Sequence, residues 1–246
     1  MNIFNMKKGR SEIKYYVPYD KVDEIKRFIR PYVNLDPYSS EQKDHRYVVR
    51  SLYFDTPYLD FYYQKMDGLQ IRKKLRIRAY NNNHQPDSYG FLEIKRKYTN
   101  AVVKERAKYP IPQLENIISG KESNWLSLKQ KNGSIVLGKF IYNIEKLDLE
   151  PVVLVVYDRD AFIGKLDNRE RLTIDYNVKA CKCDSLESIY HEQDLVPVTE
   201  SICILELKFD DYMPKWMRKL IQKIKVSPQS ISKYCMSVEK CVMDVN

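Results

Sequence analysis

The sequence predicts an α+β protein whose strands form a closed antiparallel β-barrel, with helices packed outside it and at one end. Three observations carry that expectation. Segments of period-two alternation occur in runs rather than in strict turn with helices, which favours an antiparallel sheet over a parallel one. Successive strand-like segments keep Arg and Lys on one parity and aliphatic side chains on the other. Helix-like stretches are numerous enough to cover the aliphatic face, which would make that face the core and leave the charged face to line a hollow.

The strand segments are 12–17, 47–54, 71–80, 91–98, 101–109, 152–163, 171–177 and 202–209, each rich in β-branched and aromatic residues. Between them, Asp20 is placed to cap a helix in which Val22, Ile25, Phe28 and Ile29 recur at helical spacing. Thr56 and Pro57 read as a helix start and Gly68 as its stop. Residues 135–147, 214–224 and 231–242 read as further helices, and 81–88 as a mobile loop between two strands. No repeat or low-complexity linker divides the 246 residues, so a single domain over 1–246 is expected.

Within 71–80 successive side chains must point to opposite faces. Arg72, Lys74, Arg76, Arg78 and Tyr80 share one face; Ile71, Leu75, Ile77 and Ala79 share the other, interrupted by Lys73. The next two strands repeat this, with Glu93, Lys95 and Lys97 opposing Leu92 and Ile94, and Lys104, Arg106 and Lys108 opposing Val103 and Ala107. Glu12 shares parity with Lys14, and Glu206 with Lys208. A half-solvated sheet with its charges in water gives the same alternation and stays open at this point. Against it, cations crowded on three successive strands repel one another unless an anion sits among them.

The net charge of +9, from 42 Lys and Arg against 33 Asp and Glu, also points to an anionic partner. Forked Arg donors and compact Lys charges suit a linear phosphate chain. Glutamates among them fit a Mg²⁺ or Mn²⁺ ion that bridges phosphate to protein, while ion pairing with neighbouring cations is the other reading of Glu93 and Glu206. Nucleic acid is not the expected partner despite 20 tyrosines, because the cations lie on strands of one parity rather than on an exposed helix. No Gly-rich phosphate loop and no kinase signature are present.

Five cysteines read as free thiols. His45, His84 and His191 read as surface residues, and Trp125 and Trp216 as packing anchors. Tyr58, Tyr62 and Tyr63 fit a helix plug or core face. No stretch approaches the roughly 18 apolar residues of a membrane span, so a soluble, cytosolic chain is expected.

Nine ordered motifs resemble the VTC domain of the triphosphate tunnel metalloenzyme (CYTH-like) superfamily, the catalytic domain of polyphosphate polymerases. They are R-S-E-I-K-Y at 10–15, S-L-Y-F-D-T at 51–56, K-L-R-I-R-A-Y at 74–80, F-L-E-I-K-R-K at 91–97, V-K-E-R at 103–106, Y-D-R-D-A-F at 157–162, R-L-T-I-D at 171–175, I-L-E-L-K-F at 204–209 and S-K-Y at 232–234. The resemblance implies a tunnel of antiparallel strands that holds triphosphate or growing polyphosphate. It implies that Lys14, Arg76, Arg78, Lys95, Lys104, Arg159 and Lys233 contact phosphates and that Glu206 holds the metal, Mn²⁺ or Mg²⁺. Arg76, Arg78, Lys95, Lys104, Arg159 and Lys233 are then the catalytic set, Arg10, Arg106 and Lys208 are further lining candidates, and Glu93 and Glu12 are further metal candidates.

The implied activity is transfer of the γ-phosphoryl of ATP to a polyphosphate chain without a protein nucleophile. Related triphosphatases and class IV cyclases read E-x-E-x-K on the first strand, where this chain has Arg10, Glu12 and Lys14; the missing carboxylate disfavours hydrolysis. A triphosphatase or polyphosphatase of the same fold, and a non-catalytic polyphosphate or inositol-phosphate sensor, stay as alternatives. A helix carrying Lys233 is expected to plug or gate a tunnel end. The length resembles a free-standing bacterial form, cytoplasmic or peripheral to the inner face of the membrane; a separate membrane-protein partner is left open.

Overall fold

The computed structural model describes residues 10–80, 88–98, 101–118, 134–190 and 192–243. Residues 81–87 of the loop expected at 81–88, with His84, Trp125 and His191, lie outside them. The fold is an antiparallel, sheet-rich α+β arrangement, and the chain divides into two compact units, each of which is built from three separate stretches of sequence. Two long strands, β7 (Glu150–Gly164) and β8 (Arg171–Lys182), contribute to both.

The first unit holds Met1–Val48, Tyr157–Val178 and Pro197–Ser232. Its strands are β1 (Ser11–Pro18), β2 (Val33–Leu35) and β10 (Ile202–Phe209) with the adjoining parts of β7 and β8; β9 (Val196–Pro197) pairs with β8. β10 lies between β1 and β8, antiparallel to both, so Lys14, Glu206 and Thr173 form one cross-strand row and Glu12, Lys208 and Arg171 the next. The opposite parity supplies the core. Tyr15, Val17, Leu172, Ile174, Tyr176, Cys203, Leu205 and Leu207 pack against Val22, Ile25 and Ile29 of α1 (Val22–Ile29) and Met217, Leu220 and Ile224 of α6 (Lys215–Ile224). Full burial of each such side chain contributes about 1.5–3 kcal/mol, which is what commits this parity to the inside. Asp20 does not cap α1: it lies in a 3₁₀ turn over Tyr19–Lys21, and the residue at the helix N-cap, Lys21, makes no side-chain cap bond. Trp216 is an anchor as expected, stacked on Tyr32 at 5.6 Å and donating to Glu170 at 2.7 Å.

The second unit holds Val49–Val156, Lys179–Val196 and Lys233–Asn246. Here β3 (Tyr47–Asp55), β4 (Ile71–Tyr80), β5 (Tyr89–Tyr98) and β6 (Ala101–Pro110) pair in sequence order, each antiparallel to the last. Leu75, Ile77, Leu92 and Ile94 are fully buried, and helices α4 (Ile111–Ile118) and α5 (Ser134–Leu147) lie against β5 and β6. At Gly90 the backbone is approached closely from that side: a Cβ there would meet Ile77 at 3.1 Å and Leu114 at 3.2 Å. Lys73, on this apolar parity, donates to Asn143 of α5 at 2.5 Å.

α3 (Asp60–Met66) begins three residues after the expected Pro57, with Leu59 at its N-cap position, and its first N–H groups are taken by two residues upstream: Thr56, as the sequence suggested, accepts from Asp60 N–H at 3.1 Å, and Asp55 takes the next two. The fully buried Asp55 carboxylate accepts from the backbone N–H of Thr56 at 2.8 Å, Phe61 at 2.8 Å and Tyr62 at 3.0 Å. It also accepts from the hydroxyl of Tyr234 on α7 (Lys233–Val238), which runs on as a π-turn over Glu239–Met243. Gly68, at φ 70°, stops α3 as expected. Tyr62 is buried, but Tyr58 at 82% and Tyr63 at 47% are exposed and do not belong to a core face. All five cysteines are free and His45 is exposed, as expected. No helix among the described residues is long and apolar enough to cross a membrane.

Asp55 thus ties a strand end, a helix start and a distant helix to one carboxylate. Asp55→Ala is expected to cost about 3 kcal/mol, since it strands buried N–H groups, and Tyr234→Phe about 1 kcal/mol. Urea denaturation midpoints will rank them; equal stability of Asp55→Ala and the parent would remove this account.

Candidate functional site

The sheet of the second unit places a cationic face opposite its core. Register sets the arrangement: Lys74 faces Lys95 on β5, and Lys95 faces Lys104 on β6. One pair along, Tyr53, Arg76, Glu93 and Arg106 form a straight row across β3 to β6. Arg78 falls in the row beyond, opposite Ser51, to whose hydroxyl it donates at 3.3 Å. Like charges directly opposed on neighbouring strands are destabilising.

Glu93 is the internal counter-charge. Buried to 1% exposure, it receives Arg76 through Nε at 2.7 Å and Nη2 at 2.5 Å, with Lys104 at 2.6 Å and Arg106 at 3.3 Å on its other oxygen. Burial alone would raise its pKa; Arg76, Arg78 and Lys104 outweigh that and hold it well below the usual carboxylate range. The surroundings act on the partners too. Desolvation, with Arg76 and Arg78 nearby, pulls the Lys104 ammonium down to about 8 although Glu93 supports its charge. Burial would push the Tyr53 phenol up, but Arg76, Arg78 and Lys74 bring it down to about 8. Lys233 begins α7, next to Tyr234, whose ring lies 5.1 Å from the Lys74 ammonium and 5.0 Å from the ring of Tyr53.

In the first unit the charged face has a different pattern. Opposed residues carry opposite signs: Glu12 faces Lys208 and Lys14 faces Glu206. Lys208 reaches Glu206 at 2.9 Å and Glu12 at 3.9 Å, and Lys14 reaches Glu12 at 3.1 Å. Arg159 forks onto buried Asp175 at 2.6 and 2.8 Å and approaches Glu206 at 3.8 Å. Burial would raise the pKa of Glu206, but Lys208 and Lys14, with a hydrogen-bond contact to Glu12 and with Arg159, depress it strongly. Arg10 is exposed at the entry to β1 and donates to the carbonyl of Arg169.

A divalent cation fits this second arrangement better than the first. Two carboxylates, Glu12 and Glu206, lie together here, and the Lys208 ammonium already reaches both. Thr173, across from Glu206 in its row, has a buried hydroxyl with no hydrogen-bond partner among the described residues. No group of three or more His, Cys, Asp or Glu side chains that could hold a metal ion is present among the described residues. Glu93 serves three cations, and Glu206 also has Lys208 and Arg159 beside it; what separates the two is the second carboxylate, Glu12, and the Thr173 hydroxyl in the row of Glu206.

Of the residues expected from sequence, Arg76, Arg78, Lys95, Lys104, Arg106 and Glu93 share one sheet face, and Lys14, Arg159, Glu206, Lys208 and Glu12 share another. Sequence reasoning missed Tyr53, Asp55, Asp175 and Tyr234, although three of the motifs contain them; their partners lie far away in sequence. Another buried carboxylate, Asp160, was also missed. It is bound by Lys26 at 2.6 Å, Arg46 at 2.9 Å and Tyr176 at 2.7 Å, and serves the packing of α1 on the sheet.

An antiparallel α+β protein with a strongly cationic sheet face is the class that these observations define. The VTC domain family model matches residues 9–242, and the chain belongs to that family. It is 25% identical, over 251 aligned positions, to the Vacuolar transporter chaperone complex subunit 4 of Schizosaccharomyces pombe. That alignment takes in 86% of this chain and 34% of the yeast protein, so the chain spans about a third of that relative's length. Solved structures similar to it include a candidate adenylate cyclase from Vibrio parahaemolyticus, at a TM-score of 0.48 and 11% identity over 94% of this chain and 98% of that one. Another, from Bacillus halodurans, has a TM-score of 0.46 and 12% identity over 91% and 95%.

The lowered pKa of Lys104 is directly measurable. With lysines reductively ¹³C-methylated, one NMR resonance is expected to titrate near pH 8, assigned by its loss in Lys104→Arg. Glu93→Gln removes the carboxylate that favours the charged form, so the same resonance should titrate at still lower pH. A Lys104 resonance that titrates with the bulk lysines would contradict the geometry.

Proposed function

We propose that the chain is a polyphosphate polymerase that transfers the γ-phosphoryl group of ATP to the terminal phosphate of a growing chain. The observation that carries the proposal is the lysine row: Lys74, Lys95 and Lys104 are aligned directly across three adjacent strands, with Arg76 and Arg106 in the next row. A fold gains nothing from such a row by itself, whereas a ligand with about one negative charge per phosphate turns the repulsion into binding. Family membership and the likeness to a transporter chaperone subunit support the same substrate class.

In this reading Lys95, Lys104, Arg76 and Arg78 hold phosphates of donor and acceptor and screen charge on the transferred group, without a protein nucleophile. Lys14, Arg159, Lys208 and Lys233 are further phosphate contacts, and Arg10 stands where the related hydrolases have a glutamate. Glu206 with Glu12 would hold Mn²⁺ or Mg²⁺, which when bound supplies charge neutralisation on phosphate oxygens. Arg159, fixed by Asp175, keeps a cation beside Glu206. The closed tunnel barrel, the single-domain organisation and the cytoplasmic setting that the family implies belong to the same reading, and a membrane-bound partner is compatible with it.

Purified protein given ATP and Mn²⁺ should yield a ladder of long polymer on a gel. Orthophosphate alone would favour a triphosphatase or polyphosphatase, and tight polymer binding without turnover a sensor. Lys95→Gln and Arg76→Gln are each expected to lower kcat/KM by about tenfold to a hundredfold. Glu206→Gln should abolish Mn²⁺ binding seen by EPR while leaving the protein folded.

A further inference from the structure

Tyr53 occupies the β3 end of the row that contains Arg76, Glu93 and Arg106. It is 7% exposed. Its hydroxyl oxygen accepts from Arg76 Nη1 at 2.9 Å, and the same guanidinium is fastened to Glu93 by its other nitrogens. A phenol has one proton to donate, and a buried one ordinarily finds an acceptor. Among the described residues none accepts from Tyr53; the hydroxyl is set instead among Arg76, Arg78 and Lys74, which only donate. The ring is held against Tyr234, so the hydroxyl cannot swing away without breaking that contact.

We infer that Tyr53 is a further binding residue of the cationic face, its hydroxyl donating a hydrogen bond to a phosphate oxygen of the bound chain while Arg76 holds the oxygen from behind. This rests on the phosphate-chain reading above and adds to it a neutral, directional donor in a row otherwise made of charges. Lysines fix the ligand by charge and tolerate sliding; a single hydroxyl with a fixed ring defines where one oxygen must stop. Donation by Arg76 withdraws electron density from the phenol and strengthens it as a donor, and its lowered pKa agrees with this.

The test is calorimetric binding of tripolyphosphate to the whole chain, at a pH well below the titration of the phenol, over a range of salt concentration. Tyr53→Phe keeps the ring and its contact with Tyr234, and should bind about tenfold more weakly with an unchanged salt dependence, because a neutral donor has been lost. Lys95→Gln should bind more weakly and with a flatter salt dependence. Tyr53→3-fluorotyrosine separates donation from simple support of Arg76: fluorine makes the hydroxyl a better donor and a poorer acceptor, so tighter binding is expected. Weaker binding of the fluorinated protein, or equal binding of Tyr53→Phe and the parent while Lys95→Gln behaves as stated, overturns the role of Tyr53 alone. Failure of the folded parent to bind tripolyphosphate overturns the phosphate reading and this one together.

Discussion

Antiparallel pairing brings opposed residues on neighbouring strands to about 5 Å, and β4, β5 and β6 set lysine against lysine at that spacing. Like charges so opposed are destabilising. That cost shapes the rest of the second unit. The face that bears it cannot be packed against apolar side chains, so the core must form on the other parity, and α4 and α5 are needed to cover it. One buried carboxylate, Glu93, reduces the repulsion enough for the sheet to form. Its two oxygens meet three cations, Arg76, Lys104 and Arg106, and Arg78 also acts on it through charge.

The first unit shows what the same residue types do when the register differs. Glu12 against Lys208 and Lys14 against Glu206 make a checkerboard in which each charge has an opposite neighbour. Such a surface needs no anion to be stable. Its peculiarity is instead the contact between two carboxylates, beside a buried threonine hydroxyl that lacks a partner. Composition and pairing both distinguish the two faces: Glu93 stands among many cations on β4 to β6, whereas acids and bases are nearly balanced in the first unit. One sets cations directly opposite one another, and the other sets each charge opposite its counter-charge.

Much of this was visible in the letters. Strands of period two, the parity of Arg76, Lys95 and Lys104, and an aliphatic reverse side are local properties, and a one-residue error would have turned every side chain over. Register is not local. Nothing in K-L-R-I-R or F-L-E-I-K-R-K says that Lys74 will stand opposite Lys95, or that Arg76 and not Arg78 will fork onto Glu93. The helix details have the same origin: Asp20 looked like a cap because the sequence nearby suggested it, and Thr56 does take the first N–H of α3, but the share taken by Asp55, the last residue of β3, was not visible. Short elements such as β2 and α2 (Pro37–Ser40) were missed because three or four residues give too little periodicity.

The motifs themselves have divided labour, which their letters conceal. In S-L-Y-F-D-T, Ser51 and Tyr53 receive arginines on the charged face, while Asp55 is buried and holds α3. In S-K-Y, Lys233 is a cation and Tyr234 is a strut whose hydroxyl ends on Asp55 and whose ring backs Tyr53. Burial pushes the Asp55 carboxyl up, and the hydrogen bonds from Tyr234, Phe61, Thr56 and Tyr62 oppose that. The two motifs are therefore a single mechanical unit: without Tyr234, both the cap of α3 and the backing of Tyr53 lose support. A phenol used for position and another offering a proton can stand side by side in one sheet because their environments differ. Tyr234 gives its proton to a buried carboxylate, whereas the oxygen of Tyr53 is taken by a guanidinium and its proton remains for a ligand.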